Sequence, residues 1–333
     1  MAVDQTELRK RGQKIRMIVS DLDHTLLNSD ATLSAENLEA IRAAKDKGIF
    51  VTVCSGRIFT MLEVYVRALD IQGPVITTNG AAIYDGHTGR ALSRHPLPRA
   101  AAIKILDFAR ERGYDYSAMT DEVSFFSRNS QRIKRFERYN EIARARGVQE
   151  MRLEYFEGRS HVNIENEILK LLLYLIPKEE FATLTAFLDS LPEIAYTSSD
   201  EGLLDVMAAG INKGAAIAEA RNLLGLEKEQ VCVFGDYIND LAMFKEAGLT
   251  VAMANAHEVL KSNASYVTDT NAGSIWSNAP SVAARLRCPT SGRGGKNSSE
   301  RVRPAASNAS IRVIAGLLRS RRALARRRRP RST

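Results

Sequence analysis

The sequence predicts an α/β protein: a doubly wound, Rossmann-like parallel sheet interrupted by a separate inserted α/β module. Three observations predict it. Short apolar, β-rich runs alternate with helical stretches at both ends of the body. Each polar cluster of interest directly follows one of those runs, where open α/β sheets place their ligands. Between the two ends, residues 88–200 carry a different, more highly charged pattern. The expected organisation is a first core segment at 1–87, an inserted α/β module at 88–200, a second core segment at 201–277 and a tail at 278–333.

Taken in order, residues 15–20 form a short, mostly apolar run that stops at Asp21 and reads as a strand. Ser34 is placed to cap a helix carrying Leu38, Ile41 and Ala44, with Gly48 just past its end. A strand at 49–54, a helix at about 59–69 and a strand at 74–78 leading into Asn79-Gly80 continue the alternation. The insert shows helices at 99–112, 131–146 and 179–191 and an apolar strand at 168–176. The alternation then resumes with a helix from about 212 to 225 and a strand at 231–234 ending at Gly235-Asp236. A short helix from about Asn239 to Gly248 and strands at 250–253 and 265–268 complete it.

The 333 residues carry a net charge of +8, with 44% hydrophobic and 26% charged residues, an ordinary globular composition. From Asn278 onward there are 14 Arg, one Lys and one acidic residue, Glu300, a local charge of about +14 that leaves about −6 for the rest. The basic character therefore describes the tail, whose Ser, Gly, Pro, Ala and Arg at 278–310 read as disordered. Residues 311–325 fit a basic amphipathic helix, and Arg326–Arg329 is a charge run. A nucleic-acid role follows from the body's charge in no way, and from the tail only through salt-sensitive backbone contacts; an unselected tail is the plainer reading. No apolar run approaches a membrane span, and residues 1–14 lack the apolar core of a secretory signal. Cys54, Cys232 and Cys288 are odd in number and far apart, which fits neither a disulfide framework nor a zinc site and leads us to expect a reduced, cytoplasmic protein.

Four clusters carry chemistry. In Asp21-Leu22-Asp23-His24-Thr25-Leu26, two carboxylates two residues apart face one pocket in extended geometry and would raise each other's pKa unless a hard cation neutralised them. Ser55-Gly56-Arg57 offers a hydroxyl, flexible backbone N–H groups and a helix start, the parts of a phosphate cradle. Lys213 sits beside Gly214 at a helix start, against the dipole, which points to an anionic partner. Gly235-Asp236-Tyr237-Ile238-Asn239-Asp240 supplies further hard oxygen donors. Each cluster alone also fits something plainer: a solvated turn, a strand-to-helix turn, a surface lysine, or an N-cap for Asn239.

Together, in this order, the four clusters resemble the motifs of haloacid dehalogenase-like (HAD) phosphatases. Thr78-Asn79-Gly80-Ala81, Ile211-Asn212-Lys213-Gly214 and 251–256 (Val-Ala-Met-Ala-Asn-Ala) resemble segments of the Cof-type group. The likeness covers roughly residues 15–271. Only 34 positions separate Asp21 from Ser55 but 158 separate Ser55 from Lys213, so the insert resembles the larger cap placed between the second and third motifs. Position 24 is His where the family often has Gly. After Asn271 the family continues into an acidic turn and a closing helix, whereas this chain gives Ala272-Gly273-Ser274-Ile275-Trp276 and the Arg-rich tail, which reads as a shifted frame or replaced terminus.

The resemblance implies a Mg2+-dependent phosphohydrolase acting on small phosphorylated metabolites such as sugar phosphates. Asp21 would be the nucleophile and Asp23 the general acid and base. Ser55, Gly56 and Lys213 would stabilise the phosphoryl oxygens. Asp21, the Asp23 carbonyl, Asp236 and Asp240 would hold the metal. Arg57, Asn79 and Asn239 would line the site. Arg128, Arg132 and Tyr139 of the insert are candidates for reading the substrate, although charged helices carry such residues on solvated faces too. A phosphomutase and a non-catalytic polyanion binder are the alternatives.

Overall fold

The computed structural model describes residues 5–156, 167–200, 202–268 and 270–271; the expectations for the tail fall outside these residues. A helix, α1 (Gln5–Lys14), which the polar sequence did not mark, precedes β1 (Met17–Ser20). The chain then turns through Leu22–Leu26, closed by the Leu27 N–H donating to the Leu22 carbonyl at 2.9 Å. Next comes α2 (Ala35–Lys45), capped as expected by Ser34, whose hydroxyl accepts from the Asn37 N–H at 3.1 Å. Such a cap contributes about 1 kcal/mol. The first core segment continues through β2 (Phe50–Val53), α3 (Phe59–Ala68), β3 (Pro74–Thr77), β4 (Ala82–Asp85) and β5 (Ala91–Arg94).

The inserted module comprises α4 (Arg99–Glu111), β6 (Asp115–Met119), β7 (Val123–Phe126), α5 (Ile133–Ala145), β8 (Arg152–Tyr155), β9 (Lys170–Tyr174), α6 (Phe181–Asp189), β10 (Ile194–Asp200) and β11 (Leu203–Ala208). The chain returns to the core with α7 (Lys213–Leu223), β12 (Val231–Gly235), α8 (Leu241–Lys245), β13 (Leu249–Ala252), α9 (Glu258–Ser262) and β14 (Tyr266–Val267).

Among the described residues the core sheet runs β14-β13-β12-β1-β2, all parallel, and a parallel bridge from Cys54 to Ile76 attaches β3 beyond β2. Its inner strands are mostly apolar and almost wholly buried, because both faces are covered. Ile18, Val51, Val53 and Phe234 pack with α2 and α3, while Met17, Val19, Val231 and Val233 pack with α7 and α8 on the other face. The cap sheet runs β10-β11-β9-β6-β7-β8. One face buries Leu171, Leu173 and Val206 beneath α4 and α6. The other packs Met119, Phe126, Leu172 and Leu203 with α5 and reaches Ile58 and Met61 of the core.

Two of the expected boundaries cut through paired strands. Position 200 falls inside the β10–β11 hairpin, whose second strand belongs to the cap sheet. Position 87 falls between β4 and β5, which pair antiparallel beside the core strand β3. Patterning places a boundary where composition changes, whereas hydrogen-bond ladders carry the fold past that point.

Candidate active site

The carboxyl ends of β1, β2 and β12 bring the clusters together. Asp21 leaves β1 with its N–H donating to the Phe234 carbonyl at 2.9 Å, which fixes it against the end of β12. Lys213, the first residue of α7, is fully buried, and its Nζ donates to Asp21 Oδ1 and to Asp240 Oδ1, both at 2.6 Å. The anionic partner that its helix position called for is thus a pair of aspartates. Thr25 donates to Asp236 Oδ1 at 2.6 Å. Carboxylate oxygens of Asp21, Asp236 and Asp240 all lie within 4.8 Å of one another.

The electrostatics follow from this crowding. Burial pushes the Asp21 carboxyl up, Lys213 pulls it back and Asp240 adds to the rise, leaving it at about 7. Burial and the charges of Asp21 and Asp240 push Asp236 up to about 8. For Lys213, burial opposes the charged form, but Asp21 and Asp240 hold it well above the usual lysine range. Three carboxylates against one ammonium leave a negative surplus, and hard oxygen donors converging in that state suit a divalent cation of the magnesium type. The second oxygens of Asp21 and Asp236 carry no hydrogen bond among the described residues, so both have donor capacity to spare. Asp240 is differently placed. Its Oδ1 holds Lys213, and its Oδ2 accepts from the Asp236 and Tyr237 N–H groups at 2.8 and 3.1 Å. Its place in the cluster is that of an anchor for the lysine and for the end of β12.

Asp23 faces the other side of the pocket. Arg57 grips it with two hydrogen bonds, Nε to Oδ2 at 2.9 Å and Nη2 to Oδ1 at 2.5 Å, and Arg135 of α5 adds a contact at 3.4 Å. Burial would raise the Asp23 carboxyl, but the Arg57 guanidinium overrides it and holds the group at about 2. Arg57 itself lies between the rings of Tyr65 from the core and Tyr139 from the cap, 5.2 and 4.2 Å from their centroids. The intervening His24 has φ 59°, a left-handed conformation that glycine adopts without strain, which accounts for the residue type usual at that place. Its carbonyl accepts from Asn255 Nδ2 at 3.0 Å.

The Ser55–Arg57 loop is pinned from below. The Asn79 N–H donates to the Ser55 carbonyl at 3.0 Å and the Thr78 N–H to the Arg57 carbonyl at 2.8 Å. Thr78, Asn79 and Gly80 all have positive φ, 48°, 56° and 100°. A β-branched residue there is strained. A Cβ on Gly80 would stand 2.4 Å from the Asn212 carbonyl, so glycine allows α7 to begin against this loop. Asn239 Nδ2 donates to Asn79 Oδ1 at 3.2 Å.

A cavity of about 370 Å³ lies between core and cap, lined by Asp21, Asp23, Ser55, Gly56, Arg57, Lys213, Asp236 and Asn239 among others. Asp240 and Asn79 do not line it and act from behind. Among the cap candidates, Arg132 and Tyr139 line the cavity, whereas Arg128 is exposed and does not. The solvated-face reading therefore fits Arg128 alone. Thr25 and Asn255 lie inside segments singled out above but had no role assigned from sequence, and Lys170 and Asp205 were not singled out at all. Lys170 and Asp205 were visible as single charges inside apolar runs, and that is the signal that would have found them.

Comparison with known proteins gives the family. The sequence profile of the haloacid dehalogenase-like hydrolases matches residues 18–274. The chain is 32% identical over 264 residues to the 5-amino-6-(5-phospho-D-ribitylamino)uracil phosphatase YcsE of Bacillus subtilis, covering 79% of this chain and 94% of that one. It is 30% identical over 276 residues to YwtE, a phosphatase of the same name from the same organism, with 77% and 94% covered. Its fold superposes on a haloacid dehalogenase-like hydrolase from B. subtilis with a TM-score of 0.68 at 27% identity, covering 77% of this chain and 95% of that one. With these relatives and this arrangement of acidic loops under an inserted cap, the chain belongs to the haloacid dehalogenase-like hydrolases and is an enzyme of their phosphatase kind.

Proposed function

We propose that the protein is a magnesium-dependent phosphohydrolase that cleaves small phosphorylated metabolites, sugar phosphates among them, through a phosphorylated aspartate. The observation that carries this reading is the convergence of Asp21, Asp236 and Asp240 around Lys213 at the sheet's carboxyl edge. Asp21 and Asp236, with the Asp23 carbonyl, would hold the ion. When bound, it neutralises repulsion between the aspartates and the incoming phosphate.

Asp21 attacks phosphorus through a carboxylate oxygen, forming an acyl phosphate as the bond to the leaving alkoxide breaks. Lys213, the Ser55 hydroxyl and the Gly56 N–H stabilise charge on the phosphoryl oxygens. Asp23 gives its proton to the alkoxide and then takes one from the water that releases inorganic phosphate and regenerates Asp21. Asp23 is held ionised by Arg57, which suits the second half. For the first half Asp23 must first take up a proton from solvent, which requires the arriving phosphate to draw Arg57 away from it. Asp240 and Asn239 fix Lys213 and the Ser55 loop.

The test is phosphate release from a panel of sugar phosphates, nucleotides, pyridoxal phosphate and flavin mononucleotide, with Mg2+ and then with chelator. Turnover that needs Mg2+ and no bisphosphate activator separates hydrolysis from phosphomutase chemistry. Asp21→Asn should abolish turnover and keep the fold; a pure variant with wild-type phosphate release would refute the nucleophile assignment.

A further inference from the structure

The cap sheet turns one face towards the cavity. Leu172 of β9 stands directly opposite Asp205 of β11, so strand alternation puts Lys170, Leu172, Leu203 and Asp205 on that face. Its neighbours Met119, Phe126, Leu172 and Leu203 make it apolar. Lys170 and Asp205 are set into this apolar surface with almost no solvent exposure. A buried lysine and aspartate there break the strand pattern, and such breaks are expected where a protein needs chemistry more than packing.

Their hydrogen bonding is incomplete. Lys170 Nζ stands 2.7 Å from Asp205 Oδ1 and donates to the Gly56 carbonyl at 2.5 Å. Lys170 occupies Asp205 Oδ1, but among the described residues Asp205 Oδ2 accepts no hydrogen bond, and the buried Arg132 Nε also lacks a partner. Arg132 lies over the Tyr174 ring, 5.2 Å from its centroid. Lys170, Asp205 and Arg132 all line the cavity that Asp21 and Lys213 also line. Buried polar groups are nearly always satisfied, so an acceptor oxygen, Asp205 Oδ2, and a donor, Arg132 Nε, left open on one cavity wall call for a ligand. The lysine and aspartate neutralise each other, so the wall suits a neutral group that both donates and accepts hydrogen bonds more than a second phosphate.

We propose that Lys170 and Asp205, with Arg132, form the specificity-determining subsite for the non-phosphate part of the substrate, and that this part carries neighbouring hydroxyls, as in a sugar or alditol chain. The proposal rests on the phosphohydrolase reading above. Hydroxyl groups donate to Asp205 Oδ2, and their oxygens accept from Lys170 Nζ and Arg132 Nε. Because Lys170 also holds Gly56, the subsite is tied to the loop that receives the phosphate.

The experiment compares kcat/KM for ribitol or glucose phosphate with that for phenyl phosphate, which has a phosphate and no hydroxyls. In Asp205→Asn the ratio of the two should fall about 10- to 150-fold, chiefly through KM of the hydroxylated ester, the range for losing hydrogen bonds to a charged group. Should that variant fail to fold, Lys170→Met/Asp205→Leu, which removes both charges together, decides by the same ratio. A purely structural role lowers both rates and leaves the ratio unchanged, which overturns the proposal. A wild-type preference for sugar bisphosphates over monophosphates also overturns it. Wild-type enzyme that releases phosphate from no ester overturns both this proposal and the reading beneath it, whereas turnover with an unchanged ratio overturns the subsite alone.

Discussion

Replacing Lys213 with methionine tests the electrostatic centre of the site. The ammonium contacts Asp21 and Asp240 at 2.6 Å each, and a third carboxylate, Asp236, lies within 4.8 Å of both. Methionine has similar length and no charge, so the cavity left is small and the loss is electrostatic. Breaking a buried ion cluster by removing one partner costs about 3–5 kcal/mol, and the metal-free protein should lose that much at alkaline pH. The loss depends on pH in a fixed direction. Asp21 and Asp236 titrate at about 7 and about 8, above the ordinary 3.8, so the folded state binds more protons than the unfolded one. Stability therefore falls as pH rises from about 4 to about 8. Without Lys213 to oppose it that fall steepens, so the deficit should be greatest near pH 8.5 and shrink towards pH 5.5 as the aspartates take up protons. Urea unfolding followed by circular dichroism, in chelator at the two pH values, measures it. A deficit below about 1 kcal/mol, or one equal at both pH values, would refute the reasoning.

The other predictions concern neighbouring parts of the site. In Arg57→Lys the two-pronged grip on Asp23 is lost, and Asp23, held at about 2 in the native protein, moves back towards 3.8. Its stabilisation is present above about pH 4 and lost as pH falls through about 2; with Asp23 part-exposed, the variant should be about 1–2 kcal/mol weaker at neutral pH. Denaturation curves in which that gap persists at the acid end would count against the pairing. Gly235→Ala places a Cβ 2.6 Å from Asp240 Oδ2 and should push Asp240 off Lys213. Stability should fall by about 1–3 kcal/mol, and turnover should fall much further than that loss alone explains, which steady-state rates beside a thermal melt will show. A Mg2+ ion held at the proposed site would displace protons from Asp21 and Asp236, so its affinity should rise with pH up to about 8. Calorimetry in buffers of different ionisation enthalpy at about pH 6 should detect proton release, and none would contradict the raised carboxyl groups.

Much of the core was legible because its chemistry and its folding signal coincide. Strands buried on both faces are unbroken apolar runs, so Asp21 and Asp236 announce themselves by ending them, and Ser34 and Asn212 mark helix starts by capping. The cap was less legible. Strands such as Arg152–Tyr155 are short and half-exposed, and only pairing with β7 makes them strands. Lys170 and Asp205 are 35 positions apart in sequence and acquire meaning only when β9 and β11 lie side by side. Arg57 was placed on the expected loop, but its pairing with Asp23 and its position between two tyrosines from different parts of the chain emerge only in the folded structure.

The position of β1 in the sheet has a consequence for biosynthesis. It is hydrogen-bonded to β2 on one edge and β12 on the other, and more than two hundred residues separate it from β12. A chain emerging from the ribosome can cover the first edge early, while the second stays open until the whole insert has been made. Through that interval Asp21 has neither its lysine nor its companion aspartates, so an incomplete polypeptide is chemically silent. It is also sticky along one bare strand, and a chaperone that shields that strand would raise the yield of folded enzyme.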